Sequence, residues 1–409
     1  MADLHKTPNA NRLHIAIFGK RNTGKSTLIN ALTNQNLAIV SNHAGTTTDP
    51  VYKAMEIYPI GPVVMIDTAG IDDSGELGEL RIQKSLQVIN KTDIALIVID
   101  SNGITDFDKK IINLLEKKNT DFLIIINKID EEKPSQKLLD EIKEKKYNHI
   151  AISSLKKEGI LELKELIIKY SPKYFEQPSI MGDLINPGDT VVLVIPIDSG
   201  MPKGRLILPE VQTMRDILDH NAMFYTTKET ELKQTLENLK EKPKLVITDS
   251  QAFEEVAKIT PEEIPLTSFS ILFARYKGDL SKLVNGARAL KNLKSGDKIL
   301  ISEACTHHRQ CDDIGTVKMP KWINQHINGE IDFDFCSGRD YPDNLTDYKL
   351  VVHCAGCMLN RKEMLSRIEA SVTKGVPIIN YGVTIAYIHG ILDRALKPFT
   401  DVYKEWISE

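Results

Sequence analysis

Two sets of residues in this 409-residue chain have the types and spacing to do chemistry. The first is Gly19-Lys20-Arg21-Asn22-Thr23-Gly24-Lys25-Ser26, followed by Thr27, which matches the phosphate-binding pattern GxxxxGK[ST]. It stands between the apolar run HIAIF and the amphipathic run STLINALTN, the strand-to-helix setting that the pattern needs. In such a turn, glycines let backbone N–H groups face phosphate, and the helix start adds its positive end. Lys25 can then reach the β- and γ-phosphates, and the Ser26 hydroxyl can bind Mg²⁺. The second set is five cysteines, Cys305, Cys311, Cys336, Cys354 and Cys357, with none earlier in the chain. An odd, localised cluster suits a metal site better than a disulfide framework, which would staple the whole fold.

Short motifs downstream say which nucleotide is bound. Asp67-Thr68-Ala69-Gly70 closes the run VVMID, as a Mg²⁺-associated DxxG does, and makes Asp67 and Gly70 catalytic candidates beside Lys25. Asn127-Lys128-Ile129-Asp130 closes FLIII, and Ser153-Ser154 follows the next run. The Asp130 carboxylate can accept two N–H bonds from the guanine edge. Adenine offers no such pair, and leaving a buried acceptor unmatched costs about 1–3 kcal/mol. In this order and at strand ends, the motifs specify GTP and GDP with Mg²⁺.

Ile71 occupies the place where Ras-like enzymes carry a water-orienting glutamine, so catalysis must be completed differently. Gly45-Thr46-Thr47-Thr48-Asp49 resembles the switch I motif of the TrmE–Era–EngA group of GTPases. That resemblance implies that Thr47 completes the Mg²⁺ shell, that Asn22 holds K⁺, and that K⁺ stands in for an arginine finger. Glu79 lies at the offset where a relative carries a water-positioning glutamate, and reads equally as a solvated carboxylate.

The cysteines form two motifs. Cys305-Thr306-His307 follows the run KILISEA, and His353-Cys354-Ala355-Gly356-Cys357 follows DYKLVV and precedes the helix RKEMLSRIEASVT. Both fall at carboxyl ends of strands, where open α/β sheets bind ligands. A CxxC pair alone can serve redox exchange, whereas the distant CxH favours a metal. Spacing leaves zinc and an iron–sulfur cluster equally open. Three motif cysteines are one short of a full cluster ligand set. Were the metal an iron–sulfur cluster, one iron would be expected to carry an exchangeable ligand: His307, His353, a carboxylate or solvent; the two histidines read equally as hydrogen-bond donors to sulfur. Cys311 and Cys336 read as small buried hydrophobes.

A TrmE/Era-like GTPase, a middle α/β segment and CxH…HCxxC on one chain together resemble the HydF family of FeFe-hydrogenase maturation GTPases, over the whole length. The resemblance implies a homodimeric scaffold with a 4Fe–4S cluster on Cys305, Cys354 and Cys357. It also implies a transient diiron precursor, assembled with radical-SAM maturases and delivered to the FeFe-hydrogenase apoprotein.

The elements that must position these groups follow from the alternation of apolar strand-like runs with amphipathic helical stretches, which predicts an α/β protein of three domains. The first, 1–172, is a P-loop domain with a mostly parallel sheet. A middle α/β domain, 183–263, is expected to dimerise, and 267–409 carries the metal site. Proline- and glycine-rich SPKYFEQPSIMGDLINPGD marks the first break, and PEEIPLTS the second. The longest apolar run, Val191 to Ile197, is far short of the ~20 residues that cross a bilayer. Nor does the N-terminus carry a secretory h-region. With 52 basic and 56 acidic residues the net charge is −4, so neither membrane nor nucleic acid is an expected partner, and the cytoplasm is the expected location. Two rival functions stay open. One is a ribosome- or tRNA-directed GTPase with a C-terminal zinc module, which the mixed charges of HRQCDDIG and DFDFCSGRD count against. The other is a GTPase switched by CxxC oxidation.

Overall fold

A computed structural model describes residues 7–33, 50–68, 84–172, 179–197, 204, 206–304, 313–338 and 340–408. The chain forms two compact units, Met1–Glu176 and Gln177–Glu409.

The first unit is built on a six-stranded sheet of order β2-β3-β1-β4-β5-β6. Its central strands β1 (Leu13–Phe18) and β4 (Ile94–Ile99) are buried at every position, as continuous apolar runs in a parallel sheet should be. Successive side chains feed opposite faces: Leu13, Ile15 and Ile17 pack into one core layer, and Ala16 and Phe18 into the other. Strands β3 (Gly61–Asp67), β5 (Asp121–Ile126) and β6 (His149–Ala151) pair parallel with their neighbours. Strand β2 (Val51–Ile57) was not legible from hydropathy. It runs antiparallel along the edge and is largely solvated, so VYKAMEI needs no apolar face. The helix Lys25–Thr33 follows β1, and Ile160–Tyr170 follows β6. The helix Asp106–Lys117 starts at a capping box, in which the Thr105 hydroxyl accepts from the Asp108 amide.

The second unit holds two all-parallel four-stranded sheets, ordered β10-β9-β7-β8 and β12-β11-β13-β14. The first comprises β7 (Thr190–Val194), β8 (Met223–Thr227), β9 (Leu245–Thr248) and β10 (Leu266–Ser268); the second β11 (Lys298–Glu303), β12 (Asp332–Ser337), β13 (Leu350–His353) and β14 (Ile378–Asn380). With the first unit this gives the three α/β parts that the alternation predicts. The stretch read as a second break ends in β10, which completes the middle sheet. One continuous apolar core underlies both sheets of this unit. Its joint is the helix Phe269–Lys277, which starts at a Ser268 cap directly after β10 and buries seven of its nine residues. The Arg394 guanidinium donates to the carbonyls of Ala257, Thr260 and Pro261 and so ties the C-terminal helices to the middle sheet. Among the described residues no helix is long and apolar enough to cross a membrane.

Candidate functional site

The phosphate loop grows out of β1. Gly19 has φ +144°, and a Cβ there would sit 2.2 Å from the Val98 carbonyl oxygen, so only glycine lets the loop pass β4 this closely. Lys25 opens the following helix and is buried. Its ammonium donates to the carbonyls of Gly19 at 2.8 Å and Lys20 at 2.7 Å, folding back over the loop whose amides would face phosphate. Thr23 is buried and donates to the Lys20 carbonyl; Asn22 is exposed at the loop's tip with φ +63°. Gly24 precedes the helix, and Thr27 lies in its first turn.

The Ser26 hydroxyl donates to the Asp67 carboxylate at 3.1 Å, joining the loop to the end of β3. Burial raises the Asp67 pKa, and the Ser26 bond and the Lys25 charge only partly offset it. A serine hydroxyl beside a desolvated carboxylate is a donor pair that suits a hard divalent cation, so these residues fit Mg²⁺. Thr68 donates to the Ile17 carbonyl at 2.6 Å and pins the start of the DxxG segment to β1. Thr47, Gly70, Ile71 and Glu79 lie outside the described residues.

Asn127, fully packed at the end of β5, bridges two loops. Its amide donates to the Thr23 carbonyl at 2.8 Å, and its side-chain oxygen accepts from the Ser154 amide at 3.0 Å. Ser153 donates to Asp130 at 2.6 Å and accepts from the Lys156 amide at 3.1 Å. The Ser153 bond holds the Asp130 pKa below its ordinary range, which keeps the carboxylate ionised and able to accept N–H bonds. Lys128 takes φ +66° and pairs with Glu131 at 3.4 Å.

In the second unit, β12, β11 and β13 are parallel neighbours, so Cys336, Ala304 and His353-Cys354 share one carboxyl edge. The Cys354 sulfur accepts backbone N–H bonds from Ala304 at 3.1 Å and Gly356 at 3.4 Å. Gly356 adopts φ +66°, the left-handed conformation in which its amide turns back on the loop. Backbone donors aimed at sulfur stabilise thiolate and thiolate-bound metal, so Cys354 fits either an iron–sulfur or a zinc ligand. Burial pushes the Cys357 thiol up, and the Lys277 ammonium pulls it down. Cys305, His307 and Cys311 lie outside the described residues, among which no group of three metal-binding side chains occurs.

His353 differs from the expectation of an available iron ligand. It is fully buried; Nε2 faces the Arg367 guanidinium at 3.1 Å and Nδ1 the Cys354 carbonyl at 2.8 Å. Arginine only donates, so Nε2 accepts and Nδ1–H donates: both nitrogens of a neutral imidazole are engaged. Burial and the Arg367 charge push its pKa down to about 3. Arg367 in turn donates to the Gly338 carbonyl at 2.7 Å and lies 5.1 Å from the Tyr341 ring centre. Sequence reasoning missed this latch, and Cys336's place beside Ser302. The D-F-D-F-C-S alternation was the available signal for the strand that carries Cys336.

Comparison with known proteins adds three domain matches. Residues 14–128 match a 50S ribosome-binding GTPase model. Residues 180–278 match the hydrogen maturase F dimerization domain, and 281–398 its tetramerization domain. The tRNA modification GTPase MnmE of Thermotoga sp. (strain RQ2) is 39% identical over 174 residues, 41% of this chain and 37% of that protein. MnmE of Desulforamulus reducens is 42% identical over 120 residues, 29% of this chain and 25% of that protein. Among solved structures, Era of Aquifex aeolicus is 25% identical with a TM-score of 0.36, covering 52% of this chain and 91% of that one. The chain thus spans between a quarter and little more than a third of these curated relatives, with shared lengths that suit a GTPase domain alone. The two maturase models together take in nearly all of the unit that carries the cysteines, and they occur here behind a GTPase domain. On that combination the chain belongs to the hydrogen maturase F, or HydF, family.

Proposed function

We propose that this chain is a GTP-hydrolysing scaffold for assembling the FeFe-hydrogenase active site. In this reading it carries a 4Fe–4S cluster on Cys305, Cys354 and Cys357, accepts a diiron precursor from radical-SAM maturases, and delivers it to the hydrogenase apoprotein. The observation that carries the proposal is the pair of maturase domains on one chain with a GTPase domain. The two amides on the Cys354 sulfur support the cluster. With both His353 nitrogens engaged, the open iron position falls to His307, a carboxylate or solvent.

Within the first domain, Lys25 and the loop amides hold the phosphates, Ser26 and Thr47 hold Mg²⁺, and Asp130 selects guanine. Asp67 and Gly70, in the Mg²⁺-associated DxxG, complete the catalytic set, and Asn22 supplies a K⁺ site. K⁺ then provides the positive charge that an arginine finger supplies elsewhere, an effect worth roughly 10³–10⁵ in rate. The units of work are 1–172, 183–263 and 267–409, with the middle one forming a homodimer in the cytoplasm.

The test is reconstitution. Anaerobic protein exposed to the maturase reaction, freed of small molecules and mixed with apo-hydrogenase, should restore hydrogen evolution. Failure of cluster-loaded protein to activate the apoprotein would overturn the scaffold reading. Exchanging Na⁺ for K⁺ at constant ionic strength should raise GTP hydrolysis, and equal rates would remove the K⁺ site.

A further inference from the structure

The sheet that carries the cysteines has one closed edge and one open one. At the closed edge, β14, the chain after the helix Leu280–Asn285 passes so near that a Cβ on Gly286 would sit 2.1 Å from the Ile378 carbonyl oxygen. At the other edge, β12 pairs with β11 alone among the described residues. An open edge is a row of unpaired N–H and C=O groups that another strand can complete. Proteins blunt such rows with proline, lysine, bulges or a covering helix. The run Asp332-Phe333-Asp334-Phe335-Cys336-Ser337 has neither proline nor lysine, and it pairs residue for residue with Lys298–Glu303, without a bulge.

The ladder decides which groups face outward. The Asp332 amide donates to the Asp297 carbonyl at 3.0 Å, toward β11. Alternate residues of a parallel strand turn both backbone groups to the same side. Asp332, Asp334 and Cys336 therefore bond β11, and Phe333, Phe335 and Ser337 present theirs outward. The Ser337 carbonyl accepts from the Asp340 amide at 3.4 Å, whereas the outward groups of Phe333 and Phe335 have no partner among the described residues. The side chains also leave this edge unguarded. Phe333 packs on the core, and Phe335 stacks beside it with ring centres 6.5 Å apart, yet stays 41% exposed. On the other face, the Asp334 carboxylate is met by the Lys298 ammonium at 2.8 Å and the Tyr348 hydroxyl at 2.8 Å.

We propose that the outer edge of β12 is the surface through which two copies of this chain join, strand against strand about a two-fold axis. The occupant is a second copy because residues 281–398, which contain β12, match a tetramerization domain, while the dimerization model falls on 180–278. Two separate two-fold contacts on one chain close into four copies. Antiparallel pairing of like edges must set outward residues opposite outward residues, which leaves two central registers. An axis through Asp334 would set that carboxylate directly against its own counterpart, and like charges so placed are destabilising. An axis through Phe335 sets Asp334 opposite Cys336 and Phe333 opposite Ser337, and covers each exposed ring with its counterpart. The second register is the one the residues favour.

The experiment compares wild type, Phe335→Lys and Phe335→Leu, purified anaerobically and checked for folding by circular dichroism. Mass is read by sedimentation and edge pairing by amide hydrogen exchange. Wild type should sediment as four chains, with the Phe333 and Phe335 amides exchanging about tenfold or more slower than in a sample diluted until it dissociates. Phe335→Lys should halve the mass and lose that protection, and Phe335→Leu should keep both. In a Cys336→Ser background, oxidised Phe335→Cys should form a disulfide between copies, since facing residues of such a pair stand about 5.5 Å apart, within disulfide reach. Phe333→Cys should form none. Unchanged mass in folded Phe335→Lys, fast exchange at Phe333 and Phe335 in a four-chain wild type, or a wild type of no more than two chains would overturn the proposal. So would a disulfide in Phe333→Cys with none in Phe335→Cys. Should Phe335→Lys fail to fold, Phe335→Thr, a polar strand former, is judged by the same outcomes.

Discussion

At the nucleotide site, loops are joined to one another by single side chains. Asn127 links the phosphate loop to Ser154, Ser26 links it to Asp67, and Ser153 orients Asp130. At the cysteine site the described side chains are braced from behind by buried charges: Arg367 on His353, and Arg361 on the neighbouring helix end. The first arrangement consists of polar side chains past the carboxyl ends of the strands, so one link can be cut without removing apolar packing. The second is continuous with the apolar core of its unit, into which Cys336, Cys354 and Cys357 all pack. Changes there are expected to move metal retention and folding together.

Cutting each site at its centre should give the largest effects. Cys354→Ser removes the sulfur that accepts from Ala304 and Gly356, and should empty the cluster by iron and sulfide analysis while GTP hydrolysis persists. Cys336→Ser should leave the cluster in place. A cluster-free Cys336→Ser protein would show that the site extends across β12. In the other unit, Lys25→Ala should lower GTP hydrolysis by about 10²–10³, the cost of losing one preorganised electrostatic partner, with iron content unchanged. Loss of iron from that folded variant would break the separation on which the comparison stands.

A cut link should cost less. Asn127→Ala leaves the Thr23 carbonyl and the Ser154 amide without their partner, a loss of about 1–3 kcal/mol. GDP should bind about ten- to hundredfold more weakly, and thermal stability should fall with it. A variant that binds normally would mean that the loops hold themselves.

The smallest effect is on stability and separates the units by pH. Glu210 in the middle sheet's first helix is fully buried; one oxygen accepts from the Ile207 amide at 2.9 Å and the other has no partner among the described residues. Burial pushes its pKa from 4.5 to about 7, so the folded protein holds a proton that the unfolded chain has released. The resulting stabilisation is full below about pH 4.5 and is lost as the pH rises through 7. Urea unfolding of the second unit should therefore be easier at pH 7.5 than at pH 5, by about 1–3 kcal/mol from this group. Glu210→Gln should flatten that difference and stabilise the unit at pH 7.5. An identical pH dependence in wild type and variant would contradict the assignment.

The unequal legibility of the two sites has the same physical origin as their construction. Lys25, Ser26, Asp67, Asn127 and Asp130 stand in short motifs that follow or close strands, so type and spacing exposed them. Central strands such as β1 and β4 were equally plain, because burial on both faces demands unbroken apolar runs. The solvated edge strand β2 was hidden, since VYKAMEI carries the polar residues that an edge allows. Strand β12 was hidden for the same reason, and with it the neighbourhood of Cys336. Lys277, Arg361 and Arg367 look like surface residues in the sequence, and only tertiary packing turns them inward. His353 stayed open in the sequence, because adjacency to a motif cysteine says nothing about which way its ring faces.

The most direct test of the central claim is elemental. Wild-type protein purified anaerobically should contain about four iron and four acid-labile sulfide per chain, with an EPR signal on reduction. That result would place an iron–sulfur cluster on the same chain as the GTPase domain. Stoichiometric zinc without sulfide would contradict the account and return the C-terminal cysteines to a structural metal site.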